Sequence, residues 1–381
     1  MATIRAIPCT LVRGGSSKGV FLERSRLPAP GHARDRDILA LFGSPDRRQI
    51  DGLGGADKLT SKVAVVGPPT RDDCDMDYEF GQVGTSEPRI DWTSNCGNIS
   101  AGAAVYAVHA GYVQVPDGSA SVRIHQVNTG RCLRATVPTL DGRPAVDGEF
   151  AIGGVPGTGA RIDLDFGDFA ASALRRGVLP TGHAVDRFDI PGWGSLELSL
   201  LDFANLCVFV RAADLQIDPA TSLDALQADP ELVARLEAIR AAVAVAMGIA
   251  PPDRVADELK VRVNPLLFLI DRPASYTTYG GAPIGPGEID VLARSFARGS
   301  FSKAYPGTGA AGTGIACTVA GTIVEQLARG GAPAATTPRT VAIGHPGGIL
   351  AIEVTAETPR GPRAVLGRTA RVLMEGTAFL R

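Results

Sequence analysis

Two groups in the first third of the chain have the residue types and spacing for proton-transfer chemistry. Ser94-Asn95-Cys96-Gly97-Asn98 places a thiol at the predicted start of a helix running from Ile99 to Ala110. Free backbone N–H groups and the positive end of the helix dipole favour a thiolate there, and the same N–H groups can receive a carboxylate. The alternative for Cys96 is a small buried hydrophobe, the commoner fate of a cytosolic cysteine. The second group is Gln49-Ile50-Asp51-Gly52-Leu53-Gly54-Gly55-Ala56-Asp57, followed by Leu59-Thr60-Ser61-Lys62 at the mouth of the apolar run Val63 to Val66. Desolvation of a lysine in that place favours its neutral amine, the form a general base needs. A solvated lysine at a strand edge is the alternative for Lys62.

Other turns are built to hold an anion rather than to react. Arg13-Gly14-Gly15-Ser16-Ser17-Lys18-Gly19 lacks the spacing of a nucleotide phosphate loop, yet its hydroxyls and amides suit a carboxylate. Tyr305-Pro306-Gly307-Thr308-Gly309 and Gly344-His345-Pro346-Gly347-Gly348 either present amides to an anion or are ordinary tight turns. The five histidines show neither HxH nor HExxH spacing, and Asp72-Asp73-Cys74-Asp75-Met76-Asp77 lacks the glycine and the closing glutamate of a calcium loop. No metal is expected. Gly153-Gly154-Val155-Pro156-Gly157 is not a dinucleotide fingerprint and no GxSxG elbow occurs, which disfavours a nicotinamide enzyme and an α/β-hydrolase.

These groups need elements to position them, and the pattern of the chain supplies mostly strands. Short β-like runs bounded by turn residues recur at Lys62 to Val66, Tyr78 to Val83, Val122 to Val127, Leu133 to Val137, Leu196 to Leu201, Val208 to Val210, Leu266 to Ile270 and Ile349 to Val354. Helices are expected at Asp35 to Phe42, Glu231 to Met247 and Ile289 to Phe296. Two more resemble each other: the Asn95–Asn98 turn opens Ile99 to Ala110, and the glycines from 307 to 314 open Ile315 to Ala328. Both are built mainly of Ala, Gly, Val and Ile, and a helix without a polar face is stable only when buried on all sides. The expectation is an α+β protein of two similar domains, residues 1–183 and 184–381, each wrapping curved, barrel-like sheet around one apolar helix, at about 97–110 and 312–328. The boundary falls in or just after Gly177 to Gly182, and the last strand is allowed to return to the first domain.

Composition bounds the partners. With 381 residues the chain is long enough for two substantial cores, and its 38 Lys+Arg against 40 Asp+Glu leave a formal charge of -2, with no cationic field for a nucleic acid. Met1 to Pro8 lacks a signal-peptide core, and the longest apolar run, Ala241 to Met247, is far short of a membrane span. Six cysteines without CxxC pairs fit reduced thiols in a cytoplasmic protein. A homodimer is the default assembly.

The turns also occur together and in order. From about Ile7 to Gly376 the chain resembles the PrpF family, on the Arg13–Gly19 turn, Phe42-Gly43-Ser44-Pro45-Asp46, the Gln49–Ala56 run, Thr60-Ser61-Lys62, Asn95-Cys96-Gly97-Asn98-Ile99-Ser100, Gly153–Thr158 and Gly344-His345-Pro346. The resemblance implies a diaminopimelate epimerase-like fold with its site in the cleft between two domains. It also implies a cofactor-free isomerase that moves a proton on a small unsaturated di- or tricarboxylate such as 3-methylitaconate, 2-methylaconitate or aconitate. Lys62 and Cys96 map onto the catalytic positions. Ser16, Ser17, Lys18, Gln49, Ser61, Asn95, Gly97, Asn98, Lys303, Gly307, Thr308 and His345 map onto substrate contacts. Tautomerisation of 4-oxalomesaconate, epimerisation of an amino or hydroxy acid, and carboxylate binding without catalysis are the other expectations carried forward. The chain departs from its relatives at Ser16, where many have threonine, and at Ser302, where several have histidine. Gly309-Ala310-Ala311-Gly312 holds no second cysteine, which puts a two-thiol racemase mechanism in doubt.

Overall fold

The computed structural model describes residues 4–115, 117–331 and 336–380. The chain divides into two compact units, Met1–Leu164 with Gly367–Arg381, and Asp165–Leu366. The first unit's initial run of chain thus ends at Leu164, ahead of the Gly177–Gly182 stretch, and resumes at Gly367.

In the first unit β1 (Arg5–Gly14) and β2 (Ser17–Glu23) form a hairpin with Gly14 opposite Ser17. Helix α1 (His32–Phe42) ends on Gly43, whose φ of 71° supplies the left-handed cap that turns the chain. Strand β3 (Lys62–Gly67) pairs parallel to β2, and β4 (Met76–Val83) antiparallel to β3. Helix α2 (Gly97–His109) follows. Then β5 (Gly118–Gln126) joins β4 in parallel, and β6 (Arg131–Leu140) joins β5 antiparallel. The C-terminal strand Ala370–Leu380 lies antiparallel on β1. The sheet curls around α2, which touches β1 to β6 and the C-terminal strand. Every residue from Gly97 to Val108 is buried, which is what an apolar helix requires.

The second unit repeats this scheme. Strand β7 (Gly194–Phe203) is antiparallel to β8 (Asn205–Arg211), and β8 is parallel to β9 (Leu266–Asp271). Between them α3 (Pro230–Ala246) is entered through Asp229, whose carboxylate accepts from Glu231 N and Leu232 N, with Pro230 in the first turn. Strand β10 (Val291–Ala297) is antiparallel to β9, and β11 (Arg339–His345) is parallel to β10 and antiparallel to β12 (Gly348–Thr355). The order of pairings from β7 to β12 equals that from β1 to β6. In both units an apolar helix, α2, buried from Gly97 to Val108, or α4 (Gly307–Ala316), buried throughout, comes between the fourth and fifth strands.

Two expected helices are corrected. Ile289 to Phe296 contains β10, not a helix: Leu292, Ala293 and Arg294 are good helix formers, but the strand lies between β9 and β11 with all seven residues buried. A strand buried on both faces has no alternation to reveal it. The second central helix begins at Gly307 and ends at Ala316, and a short α5 (Ile323–Leu327) follows, capped by Thr322 Oγ1 accepting from Glu325 N. Its glycines belong inside the helix because the sheet comes so close. A Cβ on Gly309 would meet Phe268 Cζ at 2.5 Å, and one on Gly312 would meet Cys207 Sγ at 2.5 Å. Among the described residues no helix is long and apolar enough to cross a membrane.

Candidate active site

The register of the first sheet determines where Lys62 sits. It opens β3, opposite Gly19 on β2 and opposite Gln82 on β4, and it is 7% exposed. Lys62 Nζ donates to Gln82 Oε1 at 2.8 Å and lies 5.1 Å from the Phe80 ring centroid. The Gln82 amide is held in turn: its Nε2 donates to Ser61 O at 2.9 Å and to Lys58 O at 3.2 Å. Ser61 Oγ donates to Gln49 Oε1 at 2.6 Å, and the same oxygen receives Ala56 N at 2.8 Å. Gln49, Ser61 and Lys62 are thus drawn into one buried network, with Gln82 as a member that the sequence analysis missed.

A second network surrounds the start of α2. Cys96 caps the helix in an extended conformation, partly exposed, and its carbonyl receives both Ser100 N and Ser100 Oγ at 2.9 Å. Asn98 Nδ2 donates to Ser16 Oγ at 3.0 Å and to Ser17 Oγ at 3.4 Å, so the tip of the β1–β2 hairpin is fastened to the helix terminus. The backbones approach closely enough that a Cβ on Gly14 would meet Asn98 O at 2.2 Å. Gly97 is the first residue of the helix, Asn95 is buried just ahead of it, and Lys18 N is held by Leu59 O at 2.9 Å. The two networks adjoin through Gly19, where a Cβ would lie 3.1 Å from both Lys62 O and Ile99 Cδ1 of α2.

Arg368 completes this group from the far end of the chain. Its Nε donates to Asn98 Oδ1 at 3.0 Å and its Nη1 to Gly367 O at 3.0 Å, and the residue is 4% exposed. Burial pulls the guanidinium down to about 10, and the neighbouring Cys96 works in the opposite sense, favouring the cation. Tyr78, fully buried beside Cys96 and Ser100, has its phenol pushed well above the ordinary value by burial first and by Cys96 second, so it stays neutral. Arg368 carried no signal in the sequence: it stands 270 positions from Asn98 in an unremarkable Gly-Arg-Thr.

In the second unit Thr308, in the first turn of α4, receives Asn205 Nδ2 at 2.7 Å. This repeats the first unit's contact between the hairpin's second strand and the helix start, with the amide and hydroxyl exchanged between elements. His345 is 1% exposed; its N donates to Tyr276 Oη at 3.0 Å, and its Nδ1 receives Gly347 N at 3.0 Å, which leaves the ring proton on Nε2. Lys303 is exposed with Nζ 4.4 Å from the Tyr279 ring centroid. Its carbonyl would lie 2.8 Å from a Cβ on Gly347, so Lys303 and the His345 turn are neighbours. Gly307, Thr308, Lys303 and His345 therefore all lie around α4 and the β11–β12 turn.

A buried lysine and a helix-capping cysteine thus stand in one unit beside hydroxyls and amides fit for carboxylates. The family model described as PrpF protein matches residues 4–381. The chain belongs to the PrpF family. It is 40% identical to a 3-methylitaconate isomerase of Eubacterium barkeri, over 98% of this chain and 97% of that protein. It is 37% identical to a 4-oxalomesaconate tautomerase of Pseudomonas putida, over 98% of this chain and 96% of that protein. The crystal structure of a methylitaconate-delta-isomerase superposes with a TM-score of 0.80 at 38% identity, covering 100% of this chain and 96% of that one. This PrpF-family chain is accordingly an isomerase with the diaminopimelate epimerase-like fold.

Proposed function

We propose that the enzyme isomerises a small unsaturated di- or tricarboxylate of the 3-methylitaconate type by allylic proton transfer, with Lys62 and Cys96 as the proton-transfer groups. One of them takes a proton from the carbon next to the C=C–COO⁻ system, and the electron pair of the broken C–H bond spreads into a dienolate. Return of a proton at the far carbon shifts the double bond; rotation about the central bond before that return exchanges cis and trans. The developing charge on the carboxylate is met by the amides at the start of α2, the Ser16 and Ser17 hydroxyls, and Arg368 acting through Asn98.

The observation that carries this reading is Lys62, buried at 7% and held by the neutral amide of Gln82. Burial strips an ammonium of water and so favours the free amine needed to abstract a proton. The internal repeat supports the same conclusion. Ser17 and Asn205 open equivalent strands, and two residues further on Gly19 pairs with Lys62 while Cys207 pairs with Leu266. The residues capping α2 and α4 are Cys96 and Pro306. Leucine and proline in the repeat's second copy offer neither base nor acid, which favours one proton-transfer pair over the two opposed thiols of a racemase.

Proton NMR in D₂O with 3-methylitaconate, oxalomesaconate, proline and malate tests the reading. Conversion of an alkene acid with deuterium at its allylic carbon is the expected result. Labelling only the saturated α-carbons would make the protein an epimerase. A rise in melting temperature with an unsaturated acid but no turnover would make it a binding protein.

A further inference from the structure

The run Asp72–Asp77, which does not follow a calcium loop, acquires a partner in the fold. Its residues lead into β4, which lies parallel to β5 with Met76 opposite Ile124 and Asp77 opposite His125; β6 then sets Cys132 opposite His125. Asp75 locks this register, its N donating to Arg123 O at 2.7 Å and its carboxylate receiving Arg123 Nη2. The result is that the Sγ of Cys74, the Sγ of Cys132 and a carboxylate oxygen of Asp73 all lie within 4.8 Å of one another. The two cysteines are buried at 5% each while Asp73 is exposed, so two sulfurs close the inner side and the outer side is open to solvent.

Two sulfurs and one carboxylate oxygen are a donor set for a borderline-soft dication such as zinc or cadmium, whereas calcium and magnesium take oxygen alone. A tetrahedral zinc with bonds of about 2.3 Å holds its two sulfurs roughly 3.8 Å apart, so the donors need to draw in by about 1 Å at most. Charge also balances. Two thiolates and a carboxylate leave one negative charge over a dication. The Arg71 guanidinium offsets it, bonding Asp73 through Nε at 2.9 Å and Nη2 at 2.8 Å and reaching Gly130 O with Nη1 at 2.8 Å. Arg71 therefore aims the carboxylate as an outer-shell group does in established metal sites.

We propose that Asp73, Cys74 and Cys132 bind one zinc-class dication, which clips the turn ahead of β4 to the β5–β6 hairpin at a place separate from Lys62 and Cys96. Each thiol gives up its proton to solvent as its sulfur binds, and a water fills the fourth, solvent-facing position.

The full-length reduced protein titrated with cadmium gives the test, through sulfur-to-cadmium charge-transfer absorption. We expect a band that saturates at one equivalent, persists in Cys96→Ser, and disappears in Cys74→Ser and in Cys132→Ser, with a zinc-induced rise in melting temperature that those two variants lose. No band at one equivalent, or a band that only Cys96→Ser removes, overturns the proposal. Should the serine variants fail to fold, X-ray absorption of the zinc-loaded wild-type protein decides. Two sulfur neighbours with lighter ligands are expected, and one sulfur or none overturns it.

Discussion

Lys62 Nζ lies 2.8 Å from Gln82 Oε1, directly across the antiparallel register of β3 and β4. The amide is pinned by Ser61 O and Lys58 O, so its oxygen faces the lysine and nothing rotates it away. Replacing Gln82 by leucine removes the acceptor that aims the amine, and kcat should fall by about 10²-fold, the cost of misplacing a reacting group by about 1 Å. Gln82→Glu is the sharper test. A carboxylate stabilises the ammonium, so the acidic limb of the pH–rate profile should move to higher pH and activity at neutral pH should drop. Steady-state kinetics across pH would show either outcome, and an unmoved profile in Gln82→Glu would detach this residue from the base.

Arg368 is expected to act through Asn98. Arg368→Met leaves Asn98 Oδ1 without its donor and lets the amide turn away from Ser16 and Ser17. We expect kcat/KM to fall about 10- to 100-fold, equivalent to roughly 1.4–2.8 kcal/mol. Circular dichroism should stay that of the wild type. Arg368→Lys, which keeps the charge but not the planar fork, should recover only part of the loss.

In the second unit Asp271 lies 3.6 Å from Arg294, both nearly enclosed. Burial outweighs the attraction of the guanidinium and raises the Asp271 carboxyl from 3.8 to about 6. The folded chain therefore binds this proton more tightly than the unfolded chain. The stability it contributes is complete below about pH 4 and is lost as pH rises through about 6, on the order of 1–3 kcal/mol. Asp271→Asn cannot titrate, so the variant should gain on the wild type between pH 4 and 6.5 and hold that gain above. Urea unfolding at a series of pH values measures the difference, and a constant gap across the range would contradict it.

The existence of two buried central helices and their enclosing sheet was legible because an Ala/Gly/Val helix has only one stable place, and seven of the eight strand segments read from the sequence lie wholly in strands, the eighth, Val122 to Val127, running one residue past Gln126. What escaped was set by tertiary neighbours. Strand β10 reads as a helix until β9 and β11 are placed on either side of it. The glycines of 307 to 314 read as a turn until Phe268 and Cys207 are seen pressing on the helix. The same holds for the candidate site. Lys62, Cys96 and the Ser16–Ser17 turn stand in recognisable runs, whereas Gln82 and Arg368 reach them only through strand register and the returning C-terminal segment. Cys74 and Cys132 likewise show no spacing, because β4 and β6 meet through β5.

The measurement closest to the central claim is solvent exchange at the allylic carbon, followed separately in Lys62→Ala and Cys96→Ser with 3-methylitaconate in D₂O. Removal of a general acid–base group costs roughly 10²–10⁴ in rate. If Lys62 and Cys96 move the proton, loss of the base abolishes both exchange and isomerisation. Loss of the acid slows isomerisation, while some label still enters the starting material. Wild-type rates of exchange and isomerisation in folded Lys62→Ala and Cys96→Ser would contradict the account.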